Sequence, residues 1–415
     1  MVTINRLFTT LAVTCFCASV CRGQIAGTPN LKKPDFVSAI VGFYNLENLF
    51  DTIHNPLIAD DEFTPRSAKR YNTAIYTKKI NNMAKVISQI GTDINPDGLA
   101  LLGVAEIEND TVLIDLILSD SLAGRGYQYV QFDSPDGRGI DVAMLYSPKY
   151  FTVLSKSPHQ VALPNKWPTR DILYVKGLLN GEVVHILVNH WPSRRGGSNS
   201  FDLYNKENAY RNANRGRGGN IMTSTNDQGG MGNNNRQRYM GDASTGTTLD
   251  RDALLENGEQ ATRELRIIAG KACRAIFDSI QATEPNAKIF VMGDLNDDPA
   301  DAGLIQGLNA IGDVTKAGPT DIFNPYADIH KKGFGTLAFN GKWNLFDQIL
   351  VSTPVLNQVQ DGWFLFRPHI FYRDFLINQE GPYKGTPHRT WAGDKYIDGF
   401  SDHLPVYMVL LKEVK

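Results

Sequence analysis

Two polar residues follow an apolar run near the middle of the chain, and their types suit hydrolytic chemistry. The segment GDLND (293–297) comes after KIFVM and places Asp294 and Asn296 two positions apart. A carboxylate beside a carboxamide can activate and orient a water molecule, or help to hold a metal-bound phosphate. In the alternative, these residues form a plain Asp/Asn turn, which is our interpretation of Asp297 and Asp298.

A histidine in the segment SDHLPV is a second candidate for chemistry. His403 follows Asp402 and precedes an apolar run. A catalytic histidine needs a partner that fixes its tautomer and stabilises its charged form. Asp347 lies among apolar residues in WNLFDQILVS, where an unpaired charge would be costly, so we predict an Asp347–His403 pair. In the alternative, Asp347 caps a turn and His403 is a structural histidine.

An acid at the end of another apolar run is the best candidate for a metal ligand. Glu106 stands in LALLGVAEIEND, whereas Glu108 and Asp110 are expected to be solvated. Carboxylates that converge from several strands repel one another unless a cation neutralises them. Oxygen ligands with few imidazoles and no thiolates favour Mg²⁺ or Mn²⁺ over zinc. Taken alone, Glu106 would more often be a surface acid.

His190 also ends an apolar run, HILVNH, and the segment WPSRR follows it. We expect this imidazole to donate a proton or a hydrogen bond to a phosphate oxygen. Arg194 and Arg195 would supply positive charge to the same group.

The strands and helices that must position these residues do not alternate regularly along the chain. Asn180-Gly181 is the clearest hairpin signal. Helical spacing covers 73–90, 112–121 and 259–280, and strand patterns cover 38–43, 99–110, 139–146, 171–178, 183–189, 288–292, 343–351, 363–371 and 405–411. We therefore predict an α+β domain with two packed, largely antiparallel sheets rather than a doubly wound parallel sheet.

The start of the chain resembles a targeting signal. Residues 1–23 combine a basic start, a short apolar run and small residues before a cleavage point, which predicts export to the periplasm or the medium. Lipidation of Cys21 is the weaker alternative, because Val20 is a poor residue before such a cysteine. Residues 24–37 would form a linker, and Cys273 would be the mature protein's one cysteine. No later segment approaches the ~20 apolar residues of a membrane helix.

Composition identifies an ordinary folded protein with one unusual insertion. The 415 residues are 42% hydrophobic and carry a net charge of −2, which provides no electrostatic signature of nucleic-acid binding but does not exclude a local basic patch. Residues 196–248 are rich in Asn and Gly and poor in aliphatic residues, so we predict a mobile insertion there.

Taken together, these segments resemble the endonuclease/exonuclease/phosphatase superfamily, which includes pancreatic DNase and inositol polyphosphate 5-phosphatases. The resemblance is carried by FYNLENLFD, the Glu106 segment, VNHWPS, GDLND, WNLFDQILVS and SDHLPV, which cover residues 38–412 in the family's order. It implies a DNase I-like four-layer α/β sandwich for residues 38–415. Several of these pieces look most like a subgroup of exported bacterial members.

The resemblance also implies roles for individual residues. Mg²⁺ or Mn²⁺ would be held by Glu106, with Glu47, Asp402 and Asn45 nearby. Substrate would be contacted by Asn45, Arg170 and Arg194. Asp294 would activate the attacking water, and Asn296 would orient it. His403, paired with Asp347, would stabilise the transition state, and His190 would assist the leaving group.

Three functions are hypotheses that the sequence leaves open. A nuclease that cuts DNA or RNA is our first hypothesis, with nucleic acid as the substrate. The second is the same chemistry on a phospholipid, an inositol phosphate or another small phosphoester. A non-catalytic surface-binding module would predict decay of the metal and water-activating residues, and none of them is missing. The sequence leaves the oligomeric state open.

Overall fold

The computed structural model describes five stretches of the chain: residues 35–164, 168–194, 258–339, 341–358 and 362–414. The predicted signal peptide and the predicted insertion at 196–248 lie outside them. Of the predicted linker, residues 35–37 belong to the first strand, so ordered structure begins earlier than expected. Among the described helices, none is long and apolar enough to cross a membrane.

In the N-terminal half, the predicted helices and strands are observed. Their ends lie within one to three residues of the expected positions, except that the first strand is longer than predicted. Its helices are α1 (Thr73–Ile87) and α2 (Asp110–Leu118). Its strands are β1 (Asp35–Leu49), β2 (Leu99–Ile107), β3 (Gln128–Gln131), β4 (Asp141–Tyr146), β5 (Phe151–His159), β6 (Ile172–Leu179) and β7 (Glu182–His190). The Asn180-Gly181 hairpin is confirmed: both residues have positive φ, as a two-residue turn of this kind requires.

The C-terminal half contains one long helix and mostly short strands. Its helices are α3 (Gly258–Thr283) and α4 (Ala327–Lys331). Its strands are β8 (Lys288–Asp294), β9 (Ala310–Ile311), β10 (Ile322–Phe323), β11 (Leu337–Phe339), β12 (Lys342–Asn344), β13 (Asp347–Ser352), β14 (Trp363–Ile370), β15 (Trp391–Ala392), β16 (Lys395–Tyr396) and β17 (Val406–Val414).

Two large sheets form the centre of the domain. The first has the order β14-β17-β1-β2-β4-β3, and the second has the order β5-β6-β7-β8-β13-β10-β9. Most neighbours are antiparallel, but three pairs are parallel: β1 with β2, β7 with β8, and β9 with β10. The predicted pair of largely antiparallel sheets is therefore confirmed.

Alternation along the strands explains how the layers pack. In β1, Val41 and Phe43 lie in the cluster between the two sheets, whereas Ile40 and Tyr44 pack with residues of α1 and α2 on the outer face. On the other side, α3 covers the second sheet through a cluster that includes Phe277. Burial of both faces of each sheet produces a four-layer α/β sandwich, the architecture that the family resemblance implied.

Candidate active site

Strand pairing brings three of the predicted catalytic residues side by side. Asp294 ends β8, and its backbone is paired with His190 at the end of the parallel strand β7. On its other side, Asp294 is paired with Asp347 at the start of the antiparallel strand β13. Residues far apart in the sequence therefore converge because the carboxyl ends of β7 and β8 meet the amino end of β13 at one edge of the sheet.

The first sheet contributes its residues at the same place, and Asn45 joins the two sheets. The Asn45 amide nitrogen donates to Glu106 Oε1 at 3.1 Å and to Asp294 Oδ2 at 3.0 Å. Its amide oxygen accepts a hydrogen bond from the backbone nitrogen of Glu47 at 2.9 Å. Asn45 thus presents hydrogens rather than an oxygen to the carboxylates, which differs from the predicted role as a metal ligand.

The backbone is unusual where the site residues emerge. Glu47, Asn48, Glu106 and Asn296 all have φ between 47° and 60°, in the left-handed region that such residues rarely adopt. The angles of Glu47, Asn48 and Glu106 coincide with the break in the β1–β2 pairing, where the Asn48 backbone nitrogen donates to Glu106 Oε2 at 2.9 Å. Strained backbone of this kind is characteristic of functional sites, where the surrounding fold must stabilise it.

The structure forms the predicted Asp347–His403 pair. His403 Nδ1 lies 2.7 Å from Asp347 Oδ2, and the Asp347 side chain is completely buried. Burial alone would lower the pKa of His403, but the negative charges of Asp347 and Asp294 outweigh it and raise the pKa well above its usual value. With Nδ1 engaged, Nε2 lies 3.8 Å from Asp294 Oδ2.

Asp294 is placed to take up a proton near neutral pH. Burial raises the pKa of this carboxyl to about 7, and repulsion from Asp347 and Glu106 adds to the shift while His403 opposes it. The backbone nitrogen of Asn296 donates to Asp294 Oδ1 at 3.0 Å and fixes the carboxylate. A general base is most effective when its pKa is close to the working pH.

His190 occupies the predicted place, but its charge differs from what proton donation requires. Nε2 lies 3.8 Å from Glu106 Oε1 and 3.6 Å from Asp294 Oδ2. Burial lowers the pKa of His190 well below its usual value, and the nearby Arg170 and Arg138 lower it further. The ring is therefore neutral near neutral pH. It can ligate a metal or form a hydrogen bond, and the expected assistance to a leaving group stays a prediction.

Two groups of side chains among the described residues could hold a metal ion. Glu106, His190 and Asp294 offer ligand atoms that all lie within 4.8 Å of one another, and so do Asp294, Asp347 and His403. In the second group the imidazole already pairs with Asp347, so the first group is the better site. Two carboxylates with one neutral imidazole suit a divalent cation, because none of the described lysines or arginines forms an ion pair with either carboxylate. Glu47 and Asp402 belong to neither group.

Glu47 and Asp402 instead share a guanidinium. Arg389 Nε lies 3.3 Å from Glu47 Oε1, and Arg389 Nη2 lies 3.1 Å from Asp402 Oδ2. Behind them, the buried Lys79 ammonium donates to the Glu47 carbonyl oxygen at 2.6 Å. Burial, opposed by attraction to Glu47, lowers the pKa of Lys79 to about 8.

The sequence interpretation missed both of these cations. Lys79 could have been found, because it is spaced by four from Ile75 and Met83 and therefore lies in the apolar stripe of α1. Arg389 stands in the irregular segment PHRTW and has no such pattern.

The two arginines predicted to contact substrate are largely committed to the protein. Arg170 is buried, and it donates to the carbonyl oxygens of His190 and Trp191 at 3.1 and 2.6 Å and pairs with Asp136 at 2.9 Å. Arg194 Nε donates to the Asn296 carbonyl oxygen at 2.8 Å. Both arginines therefore hold the strand ends that present His190 and Asn296, and direct substrate contact stays a prediction.

Other expectations are resolved by burial. Cys273 is fully buried, as predicted, and burial raises the pKa of its thiol to about 12. Asp297 and Asp298 are confirmed as structural: Asp297 pairs with Arg266, and Asp298 accepts a hydrogen bond from the Leu345 backbone nitrogen.

The expectation that Glu108 is solvated is wrong. Only 6% of this residue is exposed, and it accepts a hydrogen bond from the Asp51 backbone nitrogen at 2.8 Å. Burial, with repulsion from Asp51 and Asp60, raises the pKa of Glu108 to about 8. The acidic run EIEND therefore does not lie wholly on the surface.

Comparisons with known proteins identify relatives of this chain. The model of the Endonuclease/Exonuclease/phosphatase family matches residues 40–212 and 255–412. A Bacteroides thetaiotaomicron member of that family is 12% identical, with a TM-score of 0.46 over 92% of this chain and 98% of that one. A mannosyl-6-phosphatase of the same species is 13% identical, with a TM-score of 0.45 over 90% of this chain and 99% of that one. A humanized D. rerio TDP2 with 14 mutations is 10% identical, with a TM-score of 0.45 over 90% of this chain and 98% of that one. Among curated proteins, none matches the chain.

Proposed function

Because the chain belongs to the endonuclease/exonuclease/phosphatase family, we propose that it is a divalent-metal-dependent phosphodiesterase that cuts DNA or RNA. Members of this family hydrolyse phosphoesters. The observation that carries the proposal is the shared Asp294 carboxylate. It joins a possible metal group, Glu106 with His190, to a charged catalytic pair, Asp347 with His403.

The side chains divide the work of hydrolysis between them. Asp294 takes the proton of the attacking water on a carboxylate that the Asn296 backbone nitrogen holds in place. The phosphorus–oxygen bond to the leaving group breaks as the water oxygen attacks, and the leaving oxygen takes up a proton from solvent. His403, charged and oriented by Asp347, donates from Nε2 to a phosphate oxygen and stabilises the charge that develops there. A bound Mg²⁺ or Mn²⁺ at Glu106, Asp294 and His190 would supply charge neutralisation to the same phosphate.

Exposed rings beside the site favour nucleic acid among the possible phosphodiesters. Phe334 and Phe339 are 60% and 65% exposed, and they flank Leu337, whose backbone pairs with His403. Exposed phenylalanines cost solvation unless a partner covers them. Bases stack on such rings without sequence preference, with about 1–3 kcal/mol per base.

A substrate panel tests this proposal. The mature protein is incubated with Mg²⁺ or Mn²⁺ and plasmid DNA, RNA, sphingomyelin or inositol phosphates, with EDTA added to parallel samples. We expect EDTA-sensitive cleavage of DNA or RNA. Turnover of only the lipid or of only the inositol phosphates would overturn the nuclease assignment and retain the phosphoesterase chemistry.

Variants test the site independently of the substrate. Asp294→Ala and His403→Ala should each abolish metal-dependent hydrolysis of a generic phosphodiester, while circular dichroism stays unchanged. Asp328→Asn is the matched control, because this exposed acid contacts Lys331 on the surface. Rates like those of the unmodified protein in both site variants would remove the basis for the proposed site.

We also propose export of the protein, on the strength of the basic and apolar start of residues 1–23. Fractionation of producing cells, with an N-terminal sequence of the recovered protein, checks this. Full-length protein found in the cytoplasm would contradict it.

A further inference from the structure

Two carboxylates that the family resemblance predicted as metal ligands already have a fixed cation. Arg389 reaches Glu47 Oε1 with Nε at 3.3 Å and Asp402 Oδ2 with Nη2 at 3.1 Å. A planar guanidinium can address two carboxylates with separate N–H groups, and it stays charged at every pH of interest. The space between these acids therefore already contains a positive charge that the chain itself supplies.

The carboxylates of Glu106 and Asp294 are in a different situation. The nitrogens that approach within ion-pair distance are those of histidines: His190 for both acids, and His403 for Asp294. Across the described parts of the chain, no lysine or arginine forms an ion pair with either acid. One pair of acids thus has a permanent positive charge, and the other pair lacks one.

Arg389 is held in place by the backbone around it. The backbone nitrogen of Thr390 donates to Glu47 Oε2 at 2.8 Å, and the hydroxyl of Thr390 donates to the Phe400 carbonyl oxygen at 2.7 Å. The Phe400 backbone nitrogen in turn donates to the His388 carbonyl oxygen at 2.6 Å. The residues on both sides of Arg389 are therefore bonded to the Glu47 carboxylate or to the segment that leads into Asp402.

The buried ammonium of Lys79 ties the same parts together. Its Nζ donates to the Glu47 carbonyl oxygen at 2.6 Å and to the Thr390 hydroxyl oxygen at 2.8 Å. A second divalent ion at Glu47 and Asp402 would have to displace a guanidinium anchored on both flanks, close to this second positive charge. Repulsion between like charges opposes that exchange.

We propose that the Arg389 guanidinium takes the place of a second metal ion between Glu47 and Asp402, so that the protein binds one divalent cation, at Glu106, Asp294 and His190. This inference rests on the metal site of the proposed function, but not on the identity of the substrate. The Arg389 side chain is 42% exposed, so it can also face an anionic substrate from this fixed position.

Metal counting tests the proposal without any assay of activity. Mn²⁺ is titrated into the metal-free mature protein by calorimetry, and bound manganese is measured after equilibrium dialysis. We expect one ion per chain for the unmodified protein and for Arg389→Lys, which keeps the charge. Arg389→Ala should gain a second, weaker site, and the double variant with Asp402→Asn should lose it again.

Controls separate this site from general effects on the surface. Arg373→Ala removes an arginine that donates to the Tyr372 carbonyl oxygen and should leave one ion per chain. Glu106→Gln should weaken the first site at least tenfold, since it removes one charged ligand. Circular dichroism confirms that each variant is folded.

The contrary outcomes are distinct. Two ions bound by the unmodified protein would overturn the proposal even if Arg389→Ala failed to fold. One ion bound by a folded Arg389→Ala variant would also overturn it. Absence of phosphodiesterase activity, together with the predicted metal counts, would instead contradict the proposed function and leave this inference standing.

Discussion

Replacement of Asp347 by Asn is the sharpest test of how the site works. The substitution keeps the size of the side chain, and an amide oxygen can still accept the hydrogen bond from His403 Nδ1. It removes the carboxylate that lies 2.7 Å from that nitrogen in a fully buried position. A charge-assisted hydrogen bond contributes about 1.5–3 kcal/mol.

That energy sets the expected loss of rate. At 1.36 kcal/mol for each factor of ten, kcat/KM near neutral pH should fall about 10- to 150-fold in Asp347→Asn. The pKa of His403 should also fall, because burial continues to lower it while the largest opposing charge is gone. Since the proposed mechanism uses the charged ring, the basic limb of the pH–rate profile should move to lower pH in the variant.

The assay is release of nitrophenol from bis(p-nitrophenyl) phosphate with saturating Mn²⁺, measured across the pH range at which the protein stays folded. Urea denaturation is run in parallel, because the new amide hydrogens add an unsatisfied buried donor that costs about 1–3 kcal/mol of stability. Asp328→Asn again serves as the control. A folded Asp347→Asn variant with a rate within about threefold of the unmodified protein, and an unshifted pH profile, would refute the assigned role of the pair.

Three further predictions follow from buried charges and exposed rings. Glu108→Gln should stabilise the protein at about pH 9 and have little effect at about pH 5. The reason is that a carboxyl whose folded-state pKa is raised to about 8 destabilises the fold increasingly as the pH rises from 4.5 to that value. Equal melting temperatures of the variant and the unmodified protein at the higher pH would contradict this. Arg170→Met should lower the free energy of unfolding by about 1.5–3 kcal/mol, since it removes one of the two guanidinium groups that pair with the buried Asp136 and leaves only Arg138. In urea titrations, the double variant with Asp136→Asn should lose less than the sum of the two single losses, and full additivity would argue against the pair. Phe339→Ala should weaken binding of single-stranded DNA by about 1–3 kcal/mol in fluorescence anisotropy, with hydrolysis of the nitrophenyl diester unchanged; unchanged affinity would exclude stacking on this ring.

Much of the domain was predictable because its signals are local. Runs such as SAIVGF and LALLGVAEI are apolar throughout, which is typical of strands buried on both faces, and the structure buries both. The Asn180-Gly181 turn was equally clear, since few other residues adopt its positive φ angles. Strands β3 and β5 were missed: β3 is only four residues long, and β5 is mostly exposed or half-buried, so neither has a strong apolar pattern.

Corrections to the site have a common origin in burial. Glu108 was expected to be solvated and Arg170 to contact substrate, because the sequence shows charge but not what surrounds it. The fold encloses both, pairs Arg170 with Asp136 and places Glu108 against the backbone of Asp51. The environment of a charge depends on contacts distant in sequence, which no local pattern reports.

By itself, the sequence determined which residue types stand at the ends of apolar strands, and therefore that carboxylates, imidazoles and carboxamides would be available for metal-assisted hydrolysis. Tertiary structure alone decided their partners: Asp294 lies between His190 and Asp347 through strand pairing, and Arg389, from an irregular segment, lies between Glu47 and Asp402. The physical reason is that Coulombic interactions and hydrogen bonds act over a few ångströms of space, whatever the separation of the residues along the chain.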